Sequence, residues 1–308
     1  MHNGRMNPAS PTAASLDWPD AELRRFLAEQ ALPAHYGLDV PTYFLPLAAY
    51  LKKSAASIAP LFVGINGAQG TGKSTLAALL RQVLQDHGLR VASLSLDDFY
   101  LSRRDREELA RKVHPLLEVR GVPGTHDTEL LAECLSSMRT LTAGAHALCP
   151  QFDKAVDDRT ADPLVIEGPL DLVLLEGWCV GTPPEHSAAL VTAVNALERY
   201  DDPNGRWRRY VNDRLGSDYR ALFRELDRLF YLRAPGLADV RRWRLEQEQK
   251  LREQRGGATL MSDEDVVTFV QYFERLTQAA FRSLPDVADV VLTLDAQHRC
   301  IASRYRQG

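Results

Sequence analysis

Apolar residues along this chain follow two rhythms. LFVGIN (61–66), RVASLSL (90–96), LDLVLLE (170–176), LDRLFYL (226–232) and ADVVLTL (288–294) are short, nearly unbroken apolar runs, each with the length and flanks of a buried strand. After the first run, Leu76, Leu79, Leu80, Val83 and Leu84 recur at helical spacing from Lys73 to His87, until Gly88 stops the pattern. Helical patterns separate most of the later runs as well. The alternation predicts an α/β fold, a five-stranded parallel sheet with helices on both faces.

Residues 1–16 are small and polar, with Pro8 and Pro11, and predict a flexible tail. Residues 17–58 predict a helical N-terminal extension. One helix begins at Asp17 or Pro19 and carries Leu23, Phe26 and Leu27; a second follows Pro41 and carries Phe44, Leu45, Leu47, Ala48 and Leu51. The rest, 59–308, reads as one α/β domain with a helical insertion over 180–225, marked by Pro183, Pro184, Pro203 and Gly205.

Composition narrows the class. The chain has 308 residues, 45% hydrophobic and 25% charged, an ordinary globular make-up. With 37 Lys and Arg against 41 Asp and Glu, the net charge of -4 gives no global attraction to nucleic acid or to an anionic membrane. The start, MHNGRMNPASPTAAS, lacks the apolar run of a secretory signal, and no later segment approaches the length of a membrane span, so a cytoplasmic protein is expected. Cys134, Cys149, Cys179 and Cys300 have no paired spacing, which fits reduced, packed thiols.

The candidate chemistry begins at GAQGTGKST, comprising Gly67, Ala68, Gln69, Gly70, Thr71, Gly72, Lys73, Ser74 and Thr75. It lies between a buried strand and an amphipathic helix, the context a phosphate loop requires. Glycines let backbone N–H groups turn onto phosphates, Lys73 reaches the β and γ oxygens, and the Ser74 hydroxyl suits magnesium. DDFY (97–100) closes the second strand at the edge where ligands lie in open parallel sheets. Asp97 there either takes the proton of an attacking hydroxyl or caps the following turn. LLEGW closes the third strand, and Glu176 in it suits the water ligands of magnesium. RGVPGTHD (120–127) carries Arg120, His126 and Asp127, and PQFDKAVDDR (150–159) carries Lys154 and Arg159. Each reads equally as solvated surface. DVRRWRLEQEQ (239–249) has Arg241, Arg242 and Arg244 among acids, the pattern of an exposed salt-bridged helix.

Taken in order, GAQGTGKST, SLDDFYL, RGVPGTHD, the P-x-F-D-K segment, LLEGW, RRWRLEQE and MSDEDV resemble the plant-type D-glycerate 3-kinases, within the P-loop kinase group that includes uridine kinase, phosphoribulokinase and pantothenate kinase. The resemblance covers roughly residues 60 to 295. It implies the strand order 2-3-1-4-5, Asp97 as base, Glu176 as metal-site acid, and a lid helix bearing Arg242 and Arg244 over ATP. No role passes to Arg241, which stands where some members have tyrosine. The chain also has only AVDD between Lys154 and Arg159, where some members have a longer glycine-containing loop.

The expected activity is therefore transfer of the γ-phosphoryl group of Mg-ATP to a hydroxyl of D-glycerate. The acceptor's carboxylate calls for a cation outside the phosphate loop, and Lys154 and Arg159 compete for it with Arg120 and His126. Two alternatives stay open: a kinase of the same group acting on another small alcohol, and a nucleotide-dependent regulatory protein. The absence of an N-K-x-D guanine signature weighs against the second.

Overall fold

A computed structural model describes residues 15–255 and 262–306. The expected tail over 1–16 lies outside the described residues except for Ser15 and Leu16, and the MSDEDV segment begins outside them.

The five apolar runs form parallel strands β1 (Leu61–Gly67), β2 (Val91–Ser95), β3 (Leu172–Gly177), β4 (Arg228–Arg233) and β5 (Val290–Leu294), lying side by side as 2-3-1-4-5. The expectation of a purely parallel five-stranded sheet needs correcting. Strand β6 (Cys300–Tyr305) pairs antiparallel with β5, so the sheet is six-stranded and mixed. Only Cys300 of β6 is buried. An edge strand facing solvent has no apolar run to betray it.

The helices follow as α1 (Asp20–Glu29), α2 (Leu45–Ala55), α3 (Lys73–Asp86), α4 (Arg103–Lys112), α5 (Thr128–Arg139), α6 (Arg206–Arg214), α7 (Leu237–Arg255) and α8 (Asp263–Val287), with shorter turns between them. Among the described residues no helix is long and apolar enough to cross a membrane. Two small ribbons escaped the sequence reading: His146–Cys149 with Leu164–Glu167, and Phe152–Asp153 with Asp158–Arg159. Both are too short for a periodic signal.

All seven residues of β1 are buried, and their alternation divides the core. Leu61, Val63 and Ile65 face α3 through Leu76, Leu79 and Leu80. Phe62 faces the opposite layer, built by Leu131 and Leu135 of α5, Trp207 and Val211 of α6, and Phe273 and Leu276 of α8. The N-terminal extension joins the first layer: Phe26, Phe44, Leu47 and Leu51 are buried in the same cluster as α3. Polar ties fix its seat. Trp18 Nε1 donates to Asp86 Oδ2 at 2.7 Å, and Asp39 Oδ2 accepts the Cys300 backbone N–H at 2.9 Å.

This shared core makes a prediction. Leu47 is wholly buried, so Leu47→Ala is expected to lower unfolding stability by roughly 2–5 kcal/mol in a single urea transition. A loss below about 1 kcal/mol, or a separate early transition, would show the extension to be a loosely attached appendage.

Candidate active site

The phosphate loop leaves β1 at Gly67 and enters α3 at Lys73. Gly70 and Gly72 have φ of +77° and +84°, the left-handed region that glycine tolerates. Gly70 also has a steric reason, since a Cβ there would stand 2.8 Å from the Cβ of Trp243 on α7. Thr71 Oγ1 donates to the Ala68 carbonyl at 2.8 Å and closes the turn. No side chain caps the start of α3, so its first N–H groups are left for an anion.

Beside this loop, Ser74 Oγ donates to Glu176 Oε1 at 2.7 Å. Glu176 is buried, and its Oε2 has no hydrogen-bond partner among the described residues.

Asp97 stands in a 3-10 turn, Leu96–Phe99, that follows β2. Ser95 caps that turn, its Oγ accepting the Asp97 N–H at 3.3 Å, so the Asp97 carboxylate is not a cap. Its Oδ1 accepts from the Tyr100 hydroxyl at 2.8 Å and its Oδ2 from Lys154 Nζ at 2.6 Å. Burial pushes this carboxyl up, but the Lys154 ammonium, then Lys73, and both hydrogen bonds outweigh it and hold it well below the usual carboxylate range. Asp98 behaves differently. Burial raises its pKa, and its Oδ1 accepts the Phe152 N–H at 3.3 Å, which ties the 152–159 ribbon to the turn.

Around Asp97 the structure gathers the residues of the two weaker sequence constellations. Arg159 donates through Nε to the Tyr100 carbonyl and through Nη2 to Asp127 Oδ2, each at 2.9 Å. Asp127 also caps α5, its Oδ1 accepting the Leu130 N–H at 3.0 Å. Arg120 pairs with Asp157 and lies over the Phe152 ring, 5.6 Å from its centroid. His126 is buried and stacks on Tyr100 with ring centroids 4.6 Å apart.

Arg242 and Arg244 of α7 lie apart from this group. Arg242 donates to Asp239 Oδ1 at 2.9 Å and to the Ala296 carbonyl at 2.5 Å. Arg244 pairs with Glu248 at 2.7 Å and covers Phe269. Between them Trp243 is buried against the phosphate loop and stacks on His298, 3.9 Å between centroids, while His298 Nε2 donates to the Gly70 carbonyl at 2.9 Å. Sequence reasoning missed both residues. The signal for Trp243 was its helical spacing from Val240, apolar positions inside a charged run; His298, in the turn between β5 and β6, left none.

No family model matches the chain. It is 35% identical over 229 residues to an uncharacterized kinase of Schizosaccharomyces pombe, an alignment covering 70% of this chain and 78% of that protein. It is 33% identical over 231 residues to the chloroplastic D-glycerate 3-kinase of Arabidopsis thaliana, where the match takes in 72% of this chain and 48% of the relative. Thus it spans about half the length of that protein. Among solved structures, D-glycerate 3-kinase from Cryptococcus neoformans superposes with a TM-score of 0.71 at 27% identity, over 85% of this chain and 99% of that one. The chain belongs with that Schizosaccharomyces pombe protein to a family of P-loop kinases, is similar to D-glycerate 3-kinases in sequence and fold, and is an ATP-dependent phosphotransferase with an alcohol group as acceptor.

Proposed function

We propose that the acceptor is D-glycerate, phosphorylated on a hydroxyl at the expense of Mg-ATP. The observation that carries this reading is the charge of the acceptor end: Lys154 pairs with Asp97, Arg159 with Asp127 and Arg120 with Asp157 on two short segments. Cations gathered on these segments can turn a free N–H toward a carboxylate, which suits a small acid better than a neutral alcohol. The aromatic rings present are already engaged with one another, Tyr100 on His126 and Phe152 edge-on to Tyr100 at 5.1 Å. A nucleoside would need a free ring face to stack on. The names of the Arabidopsis and Cryptococcus relatives point the same way.

The donor side follows from the loop. Backbone N–H groups of Gly67–Thr75 cradle the phosphates, and Lys73 offsets charge at the β and γ oxygens. Ser74 and Glu176 fit magnesium: a hydroxyl at the head of α3 faces a buried carboxylate that keeps one oxygen without a protein partner among the described residues. Those residues hold no cluster of three His, Cys, Asp or Glu side chains, which suits an ion carried largely by phosphate and water. When bound, magnesium neutralises charge on the β- and γ-phosphates. Arg242 and Arg244 exchange their acidic partners on α7 for phosphate oxygens when α7 closes on ATP.

On the acceptor side Asp97 orients the hydroxyl and receives its proton. Its depressed pKa suits a late proton transfer in a loose transition state, where alignment matters more than basicity. Arg159 holds the glycerate carboxylate. Its Nε and Nη2 are fixed by Tyr100 and Asp127, so the guanidinium is aimed in advance and Nη1 remains for the anion. Lys154, whose ammonium pairs with Asp97, and Arg120 complete the positive wall.

Three measurements test this. ADP release from Mg-ATP is expected to be fast with D-glycerate and slow with uridine, ribulose 5-phosphate, pantothenate or no acceptor; equal release under all conditions would favour a nucleotide-dependent regulator. Asp97→Asn is expected to lower kcat on the order of 10²- to 10⁴-fold with little change in ATP affinity, and Asp98→Asn to do less. Because Lys154 is the largest influence holding Asp97 ionised, Lys154→Met should also move the acid limb of kcat/KM upward in pH; equal losses from the two aspartate variants would remove Asp97 from its role. Finally, Arg159→Ala should raise KM for glycerate more than about tenfold and leave KM for ATP within about twofold, with Arg159→Lys already costly. Parallel losses for both substrates would assign Arg159 to the fold instead.

A further inference from the structure

His126 is buried, 3% exposed, and its two ring nitrogens differ sharply. Nδ1 lies 2.6 Å from the Tyr219 hydroxyl, at the end of the Leu215–Tyr219 turn of the helical insertion, while Nε2 has no hydrogen-bond partner among the described residues. A buried imidazole nitrogen left without a partner is uncommon enough to need a reason.

The direction of the Tyr219 contact follows from the third member of the chain. The Gly124 backbone N–H, which can only donate, reaches the same hydroxyl oxygen at 3.0 Å. If His126 Nδ1 also donated to that oxygen, the Tyr219 proton would have no acceptor among the described residues and the Nε2 lone pair would be bare too. If instead Tyr219 donates to Nδ1, both of its own bonds are satisfied and the ring proton sits on Nε2. One unmet group replaces two. Burial holds the imidazole pKa down at about 4, so the ring stays neutral at pH 7 and offers a single N–H. That ring lies face to face with Tyr100, whose hydroxyl reaches Asp97.

We propose that Tyr219 is a positioning residue that locks His126 in the Nε2–H tautomer, so that His126 offers a neutral donor to an oxygen of the bound acceptor, a specificity contact supplied in part by the helical insertion. Naming D-glycerate as that acceptor rests on the reading above; the tautomer does not. A neutral donor at this position distinguishes an acceptor oxygen placed beside Asp97 from one displaced by a methylene, which a mobile lysine would not do. Tyr219 touches no substrate. Its influence runs through the hydrogen bond to Nδ1 and through the Gly124 N–H it accepts, both in the loop that carries His126.

The test has two arms. Two-bond proton–nitrogen NMR of 15N-histidine-labelled full-length protein, without any acceptor, is expected to show His126 as the Nε2–H tautomer, and the signal should shift when D-glycerate is added with a non-hydrolysable ATP analogue. Tyr219→Phe keeps the ring and removes the hydroxyl. It is expected to give a tautomer mixture and a glycerate KM raised about fivefold to twentyfold, with KM for ATP within about twofold and the thermal midpoint within a few degrees. An Nδ1–H tautomer in the parent protein, or an unchanged glycerate KM in Tyr219→Phe, overturns the proposal. So does a parallel rise in both KM values with a large fall in thermal midpoint, the mark of a structural role. If the parent protein does not phosphorylate D-glycerate, the choice of acceptor fails while the tautomer spectrum still decides the role of Tyr219.

Discussion

Glu176 pairs across the sheet with Ile65 of β1 on one side and Ser95 of β2 on the other. That register places the only carboxylate of β3 two residues before the phosphate loop begins and two before Asp97. Alternation along β3 then fixes which way it faces. Leu172 and Leu174 pack in the layer of α3, and Val173 and Leu175 in the layer of α5 and α8, so Glu176 falls on the side of α3 and meets Ser74. A slip of one residue would turn the carboxylate into the opposite apolar layer and separate it from the hydroxyl. The buried runs of β1 and β3 therefore carry more than stability. Their apolar parity selects the face on which donor chemistry is assembled.

Around Asp97 charge is handled by pairing. Asp97 and Glu176 both flank the phosphate loop, and on the proposed reading their repulsion of a triphosphate has to be offset. Lys154 stands on Asp97, and Arg159 on Asp127. Deeper in, Arg106 is almost fully buried and donates to the carbonyls of Leu101, Glu118 and Asp157, with an ion pair to Asp157 at 2.9 Å. Three carbonyls and a carboxylate around one guanidinium satisfy its donors, which is the condition for burying a charge without large cost. The result is a rigid base for the 152–159 ribbon, from which the more exposed Lys154 and Arg159 project.

The parts of the site that were legible in the sequence are those whose neighbours along the chain define them. The phosphate loop, Asp97 after β2 and Glu176 at the end of β3 each sit at the junction of an apolar run with a polar turn, and periodicity finds such junctions. Sheet order came from family resemblance, because pairing between distant strands leaves no local trace. For the same reason Arg106 looked like one charge among many in RRDREELARK, and Tyr219 and His298 looked like nothing in particular. Their meaning depends on partners 93 and 228 residues away in the chain. β6 was invisible because an edge strand turned to solvent is under no pressure to be apolar. Asp127, a candidate in RGVPGTHD, caps α5 and pairs with Arg159, contacts that the sequence alone does not reveal.

Tyr100 shows how these layers converge. Its hydroxyl holds Asp97, its carbonyl holds Arg159, and its ring lies on His126 with Phe152 set against its edge. Each contact uses a different part of the residue, so Asp97, Arg159 and His126 are all referred to one residue that closes the 3-10 turn after β2. Loops by themselves cannot keep three reacting groups aligned to a fraction of an ångström, and phosphoryl transfer through a loose transition state depends mainly on such alignment. The sheet edge supplies the fixed point, and Tyr100 transmits it to residues contributed by the 120–127 loop, the 152–159 ribbon and, through His126, the helical insertion. On the proposed reading, a neighbouring aromatic, more than Asp97 itself, would set where the acceptor hydroxyl stands relative to the phosphate.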